Sequence, residues 1–153
     1  MEKITDFLSP ISGVIMDISQ VPDEIFAERV MGDGFAVDIK GPDVVAPIDG
    51  VIRSVFPGGH AICLEGDNGI QVLIHVGLET FNIDGLIDVY CQKNQHVKQG
   101  DLLVKAKWKK IRKKAKSPIA PIVFLNKETV HLLKENVDVC AGENKIVEIS
   151  MSA

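Results

Sequence analysis

The sequence lacks the features that mark membrane-spanning, disulfide-bonded and zinc-binding proteins. None of its apolar runs approaches the about 20 residues that a membrane-spanning helix needs. Its three cysteines, Cys63, Cys91 and Cys140, show no close pairing, which is typical of reduced thiols in a cytoplasm. No Cys-x-x-Cys or His-x-His pattern occurs. Since the N-terminus also lacks the basic and apolar regions of a secretory signal, we expect a cytoplasmic protein.

What is present predicts a globular all-β domain. Apolar residues make up 46% of the 153 residues, enough for one domain over 1–153 with its own core. Turn residues interrupt β-branched runs at intervals of roughly 8–12 residues, and the pattern Pro-Ile-x-Gly-Val-Ile at 10–15 recurs at 47–52. We therefore expect an antiparallel, barrel-like β-sandwich built from duplicated strand–turn–strand halves. Short helical turns are predicted at 23–30 and 127–134.

Two histidines, His60 and His75, flank a strong hairpin signal at 67–69. Side chains alternate faces along a strand, so the loop length decides whether the two rings meet. A two-residue loop at 68–69 places His75 one diagonal step from His60, and a four-residue loop over 66–69 pairs them directly. Both registers put the rings on one face, within about 4.5–8 Å at Cβ. An odd-length loop would separate them.

The pair is open to several interpretations. Two partly buried histidines bonded to backbone carbonyls, a metal site, an acid–base pair, and a nucleophile with an assisting donor all fit the spacing. Both even-length registers place Cys63 on the opposite face, which leaves a zinc ion without a third ligand. Neutral imidazole is a good nucleophile near neutral pH, and a second imidazole can donate to the oxygens of a transferring phosphoryl group. Phosphoryl or proton chemistry is therefore favoured.

A longer segment around His75 carries a family resemblance. Residues 69–80 read as a glycine, an apolar run, His, an aliphatic residue, Gly, an aliphatic residue, an acid and Thr. This resembles the phosphohistidine signature of the glucose-type EIIA component of the bacterial phosphoenolpyruvate-dependent sugar phosphotransferase system. The resemblance spans roughly residues 9–149. Its other matching segments are 21–28, 32–36, 45–50, 97–101 and 117–123.

The resemblance implies the same antiparallel sandwich and a phosphotransferase component that works through a phosphohistidine. His75 would carry the phosphoryl group on Nε2 and His60 would steady it, with the phosphocarrier protein HPr as donor and the EIIB domain of a sugar permease as acceptor. We expect Gly77 to let a backbone carbonyl accept the Nδ1–H of His75. The relay needs no cofactor, although family members can share a zinc ion between the two histidines and a partner's carboxylate. The sugar is set by the permease and not by this chain.

The resemblance also implies an apolar docking face with two charges that steer HPr. From the residues alone, the apolar positions at 25–31 equally fit the core face of a short helix, and the exposure of Phe26 and Met31 would decide. The face carried over by position consists of Asp23, Ile25, Phe26, Val30, Met31, Phe56, Leu73 and Glu79.

Two positions depart from the family pattern. Gly58 replaces the usual threonine two residues before His60, so a hydroxyl that orients that ring is missing. We expect slower onward transfer, which the substitution Gly58→Thr should speed. Phe81 replaces a small aliphatic residue.

The segment 105–116 holds eight of the seventeen basic residues and no acid. Since the net charge is −4, the rest of the chain carries −12. If helical, its Trp108, Ile111 and Ala115 form an apolar stripe. A solvated surface turn and a contact with the anionic inner membrane leaflet both fit. Nucleic acid binding is not expected, because the remainder is acidic and only one aromatic residue is interleaved.

Two other function classes are weaker. A zinc hydrolase on a comparable sandwich needs a His-x-His and a His-x3-Asp pattern, and the chain has neither. A regulatory protein whose docking to metabolic enzymes or transporters is switched by phosphorylation uses the same face and stays open. His96 and His131 are expected on the surface.

Overall fold

A computed structural model of the protein describes residues 3–80 and 83–151. These residues form mainly short strands, together with two short α-helices and two 3-10 turns. The strands are β1 Lys3–Ile4, β2 Ile11–Asp17, β3 Gly34–Val45, β4 Gly50–Val55, β5 Ala61–Gly66, β6 Gln71–His75, β7 Ile87–Val89, β8 His96–Val97, β9 Leu102–Ala106, β10 Ile119–Phe124, β11 Thr129–Leu132, β12 Val137–Val139 and β13 Val147–Ser150. The helices are α1 Glu24–Ala27 and α2 Trp108–Lys114, and the 3-10 turns are Ile18–Gln20 and Pro57–Gly59.

Every strand pairing described is antiparallel, which confirms the predicted all-β class. The larger sheet runs in the order β12-β2-β3-β10-β6-β5-β4-β8, with β9 pairing to β3 and β7. A three-stranded sheet of order β1-β13-β11 completes the structure. The two copies of the repeated motif lead into β2 and β4, and each of these strands pairs with the strand that follows it.

Strand alternation gives the larger sheet two apolar faces of unequal size. On β6, Val72 and Ile74 enter the main core, whereas Leu73 packs into a smaller cluster on the other face, the face that His75 shares by alternation. The main core contains the rings of Phe7, Phe35 and Phe124, which are fully buried and packed with centroids 5.3–6.4 Å apart. The smaller cluster consists of Ile18, Val21, Phe26, Ala36, Ala61, Leu73, Leu78 and Val123.

One of the two predicted helical turns is confirmed. Helix α1 lies within 23–30, and the Asp23 carboxylate caps it by accepting a 3.0 Å bond from the Ile25 amide. The prediction at 127–134 is wrong, because this segment forms β11, which pairs with β13. Val130 and Leu132 alternate toward the main core there, so a period of two prevails over the helical period.

Helix α2 confirms the conditional apolar stripe of the basic segment. Ile111 is fully buried, and the partly buried Trp108 and Ala115 pack against the main core beside it. No helix in the described ranges is long and apolar enough to cross a membrane.

The aromatic cluster generates a stability prediction. Phe124→Ala removes a fully buried ring from the strand beside β6, so the free energy of unfolding should fall by about 3–5 kcal/mol. Phe56→Ala is the matched control, because this side chain is 41% exposed and its loss should cost less than about 1 kcal/mol. Urea unfolding of both variants measures the difference, and equal losses would contradict the packing described.

Candidate functional site

The hairpin that carries the two histidines has a three-residue loop, whereas the predicted loops had two or four residues. Gly66 and Ile70 close the turn over 67–69, and β5 then pairs Ala61 with His75. Strict alternation from this odd-length loop would place His60 and His75 on opposite faces. His60, however, precedes the strand and has a helical backbone with φ −72° and ψ −15°. This local bend returns its ring to the His75 side, so the prediction that an odd loop separates the rings is wrong.

The two imidazoles lie close together. Their ring centroids are 5.8 Å apart with an interplanar angle of 69°. The backbone ties the two segments directly, because the amide of Val76 donates a 2.8 Å hydrogen bond to the carbonyl of His60. The pair is therefore held by the main chain as well as by ring packing.

The tautomer of His75 follows from a backbone contact. Its Nδ1 lies 2.6 Å from the carbonyl oxygen of Gly77, which can only accept, so Nδ1 carries the proton. Neutral His75 then presents a lone pair on Nε2. Gly77 adopts φ +76°, and a Cβ at this position would lie 3.0–3.3 Å from Thr80, Ile111 and Ser117. A larger residue would thus disturb the turn that supplies the carbonyl.

The surroundings favour neutral His75. Burial lowers the pKa of its imidazole, and the neighbouring His60 lowers it further, whereas the Gly77 carbonyl and the Asp23 carboxylate oppose the shift. The lowered pKa extends the pH range over which Nε2 keeps its lone pair to more acidic values. The Phe26 ring, with its centroid 5.6 Å from that of His75, provides part of this burial.

The ring of His60 is held by the Pro57 carbonyl in place of the missing hydroxyl. Its Nδ1 lies 2.6 Å from that oxygen and so carries a proton. Gly58 adopts φ +80°, a conformation that strains a β-branched residue. The substitution Gly58→Thr would therefore disturb the turn that supplies the Pro57 carbonyl, and on this geometry it should not speed transfer.

The apolar docking face is exposed in part. Ile25, Val30, Met31 and Phe56 are 52%, 70%, 41% and 41% exposed, and Glu79 is also exposed. Phe26 and Leu73 do not belong to this surface, because they are 9% and 5% exposed and form the apolar floor beneath His75.

Asp23 is half-buried. Its carboxylate caps α1 and also opposes the lowering of the His75 pKa.

The register also corrects the position of Cys63. Cys63 pairs with Leu73 and packs at the edge of the smaller cluster, so it lies on the same face as His75. Even so, no group of three or more His, Cys, Asp or Glu side chains that could hold a metal ion occurs within residues 3–80 and 83–151. His60 and His75 alone supply two nitrogen ligands, half of a tetrahedral zinc set.

Other sequence expectations have simple outcomes. His96 and His131 are exposed as predicted, and Nε2 of His96 lies 3.1 Å from a carboxylate oxygen of Asp67. Phe81 lies outside the described residues. The contact from His60 to the Pro57 carbonyl was not predicted, because its signal in the sequence is only the turn-forming Pro-Gly-Gly triplet.

Known proteins show the same fold and sequence pattern. A family model described as phosphoenolpyruvate-dependent sugar phosphotransferase system, EIIA 1, matches residues 5–130. A solved structure titled glucose permease IIA from Mycoplasma capricolum superposes with a TM-score of 0.87 at 33% identity, covering 96% of each chain.

Two relatives show the component both alone and fused. The PTS system glucose-specific EIIA component of Bacillus cereus is 40% identical over 147 residues, covering 94% of this chain and 89% of that protein. The PTS system glucose-specific EIICBA component of Staphylococcus carnosus is 42% identical over 142 residues, covering 91% of this chain but only 21% of that protein.

The packing around His75 generates a prediction about its titration. Phe26→Ala should let water reach the imidazole and raise its pKa toward the ordinary value, because burial is the largest cause of the lowering. Ile25→Ala on the same helix is the control, since this side chain is 52% exposed and should leave the titration unchanged. NMR titration of the ring protons measures both variants. An unchanged pKa in Phe26→Ala would contradict the role of this ring.

Proposed function

This chain belongs to the EIIA 1 family of the phosphoenolpyruvate-dependent sugar phosphotransferase system, and we propose that it carries the phosphoryl group on Nε2 of His75. HPr is the donor and the EIIB domain of a sugar permease is the acceptor. The single observation that supports this assignment most strongly is the Nδ1–Gly77 contact of 2.6 Å, because it directs the ring's lone pair to Nε2.

The transfer is a substitution at phosphorus. The Nε2 lone pair of His75 attacks the phosphorus on the donor, the donor's bond to phosphorus breaks, and that bond's electrons return to the donor. The Nδ1 proton stays on the His75 ring against the Gly77 carbonyl, so the phosphorylated ring carries positive charge. This charge makes the ring a good leaving group when the EIIB nucleophile attacks in turn. Since each transfer exchanges one phosphoprotein linkage for another, positioning and charge balance dominate the barrier.

His60 acts as the donor to the phosphoryl oxygens. A neutral ring with its proton on Nδ1 has only a lone pair at Nε2, and Nδ1 is directed to the Pro57 carbonyl. We therefore infer that His60 donates from Nε2 after taking a second proton from solvent, and that the negative phosphoryl group on the neighbouring ring stabilises this proton.

The partners are expected to dock on the exposed apolar surface around the two histidines. Ile25, Val30, Met31 and Phe56 supply apolar area, and the Asp23 and Glu79 carboxylates attract basic groups of HPr. The Staphylococcus carnosus relative is named an EIICBA component, which supports the EIIB partnership. The proposed location is the cytoplasm, where these partners present their phosphorylated groups.

Two secondary roles are proposed for the same site, regulatory binding and a shared zinc ion. Phosphorylation adds negative charge to the docking face, so binding of regulatory target proteins can be switched by the same chemistry. The two imidazoles can also share a zinc ion with a partner's carboxylate, although the relay itself requires no cofactor.

A labelling experiment tests the relay. With labelled phosphoenolpyruvate, Enzyme I and HPr, the wild-type chain should take up label and discharge it onto EIIB. His75→Ala should take up none. His60→Ala should slow both steps by about 10²–10³-fold, because one donor to the transferring oxygens is lost. His96→Ala, at an exposed histidine paired with Asp67, is the control and should behave as wild type.

Three outcomes would separate the alternatives. Label on His75 that never reaches any EIIB would favour the regulatory switch over the relay. Label retained by His75→Ala would overturn the choice of nucleophile. Partial rescue of His60→Ala by His60→Gln, whose amide can donate, would support the donor role over a structural one.

The proton on His60 can be followed separately. Nitrogen-15 NMR should show neutral His60 protonated at Nδ1 alone, and protonated at both nitrogens once His75 is phosphorylated. The phosphoryl group stabilises the second proton, so the change should vanish when the label is discharged. A His60 Nε2 that stays unprotonated in the phosphorylated protein would contradict this step.

A further inference from the structure

The basic segment 105–116 forms α2 with little stabilisation from its own sequence. Its first turn contains no acid and no side chain caps its N-terminus, whereas Arg112, Lys113 and Lys114 lie in its last turn, where the helix dipole favours cations. The pairs Lys109/Lys113 and Lys110/Lys114 place like charges four residues apart, which destabilises a helix. The buried Ile111 holds the helix in place despite this repulsion. Lysines that destabilise their own helix by repulsion point to an external partner for their charge.

Most of this charge forms no ion pair within the described part of the chain, although Nζ of Lys109 lies over the Trp108 ring, 5.6 Å from its centroid. Arg112 is bound by Asp38, and Lys105 lies across from Asp43 and Asp88 on neighbouring strands. The ion pairs among residues 3–80 and 83–151 include none of the other lysines of the segment. We call the exposed lysines the basic helix surface: Lys107, Lys109, Lys113, Lys114 and Lys116.

The basic helix surface adjoins the site. Ile111 of α2 lies against the Gly77 turn, and the Leu78 amide donates a 3.0 Å hydrogen bond to the carbonyl of Ser117. Lys116 lines an open groove together with Asp23 and Ile25 of the docking face. The cationic surface and the exposed apolar surface therefore meet at Lys116.

The chemistry of this surface fits an anionic lipid layer better than a protein pocket. The apolar side of α2 packs against the main core, so the outward side of the helix presents charged side chains. Flexible lysines suit a diffuse layer of phosphates, whereas bidentate binding of carboxylates favours arginine. The remaining −12 of charge is repelled by the same layer, which leaves one orientation for approach.

From this placement we propose that the basic helix surface binds an anionic membrane and holds the His75 face beside it. The consequence for function rests on the proposed relay: a carrier oriented on the membrane meets the permease's EIIB domain by a search in two dimensions. The lipid contact itself does not depend on phosphorylation.

Vesicle binding tests the proposal. The full chain should sediment with vesicles that contain phosphatidylglycerol, weakly at high salt, and should not sediment with pure phosphatidylcholine. The variant Lys109→Gln/Lys113→Gln/Lys114→Gln should bind at least about tenfold more weakly, and glutamine keeps the helix propensity of lysine. The control Lys93→Gln/Lys98→Gln/Lys127→Gln removes the same charge from exposed sites elsewhere and should bind as wild type.

Each alternative result overturns the proposal. Binding that ignores lipid charge, absence of binding, or equal losses in both triple variants would exclude a lipid site on α2. An unaltered lipid affinity with slower discharge onto a detached EIIB domain would assign the lysines to an acidic protein partner instead. Failure of the relay is seen independently, as absence of label from HPr on the wild-type chain in solution without vesicles.

Discussion

The hydrogen bond from the His75 ring to the Gly77 carbonyl is the constraint on which the rest of the site depends. It requires a turn immediately after β6, and that turn is fixed from outside by Ile111 and by the pairing of Leu78 with Ser117. Within the turn, the Thr80 hydroxyl donates to the Val76 carbonyl. The nitrogen that keeps the lone pair, Nε2, is thus selected by main-chain geometry rather than by a second side chain.

The two faces of the larger sheet have different roles, since one forms the main core and the other surrounds His75. The main core, with its three packed phenylalanine rings, stabilises the fold. The smaller cluster on the opposite face buries His75 enough to lower its pKa while leaving the ring partly exposed. Under the proposed function, a deeper position would exclude partners, and a fully exposed one would allow protonation of the ring to compete with its phosphorylation.

Much of this arrangement could be predicted from residue patterns. Turn spacing indicated the all-β class, and the apolar runs around 67–69 indicated the hairpin. The loop length could not be predicted, because Asp-Asn-Gly supports several turn types, and the helical backbone of His60 then compensated for the odd register. The burial of Phe26 and Leu73 depends on contacts between segments far apart in the sequence, so the spacing of apolar residues in either segment does not predict it. The prediction of a helical turn at 127–134 was wrong for the same reason, since the pairing of this segment with β13 overrides helix propensity.

Strand β6 lies between β5 and β10 in the sheet, and this order has a consequence for synthesis. The partner on one side is adjacent in sequence, but the partner on the other side spans Ile119–Phe124, and the Ser117 carbonyl that fixes the turn after His75 comes from the same late region. A nascent chain that has delivered both histidines therefore still lacks the frame that orients them. The site that we propose to accept a phosphoryl group is therefore oriented only after residues 117–124 have been made and have paired with β6 and the turn that follows it.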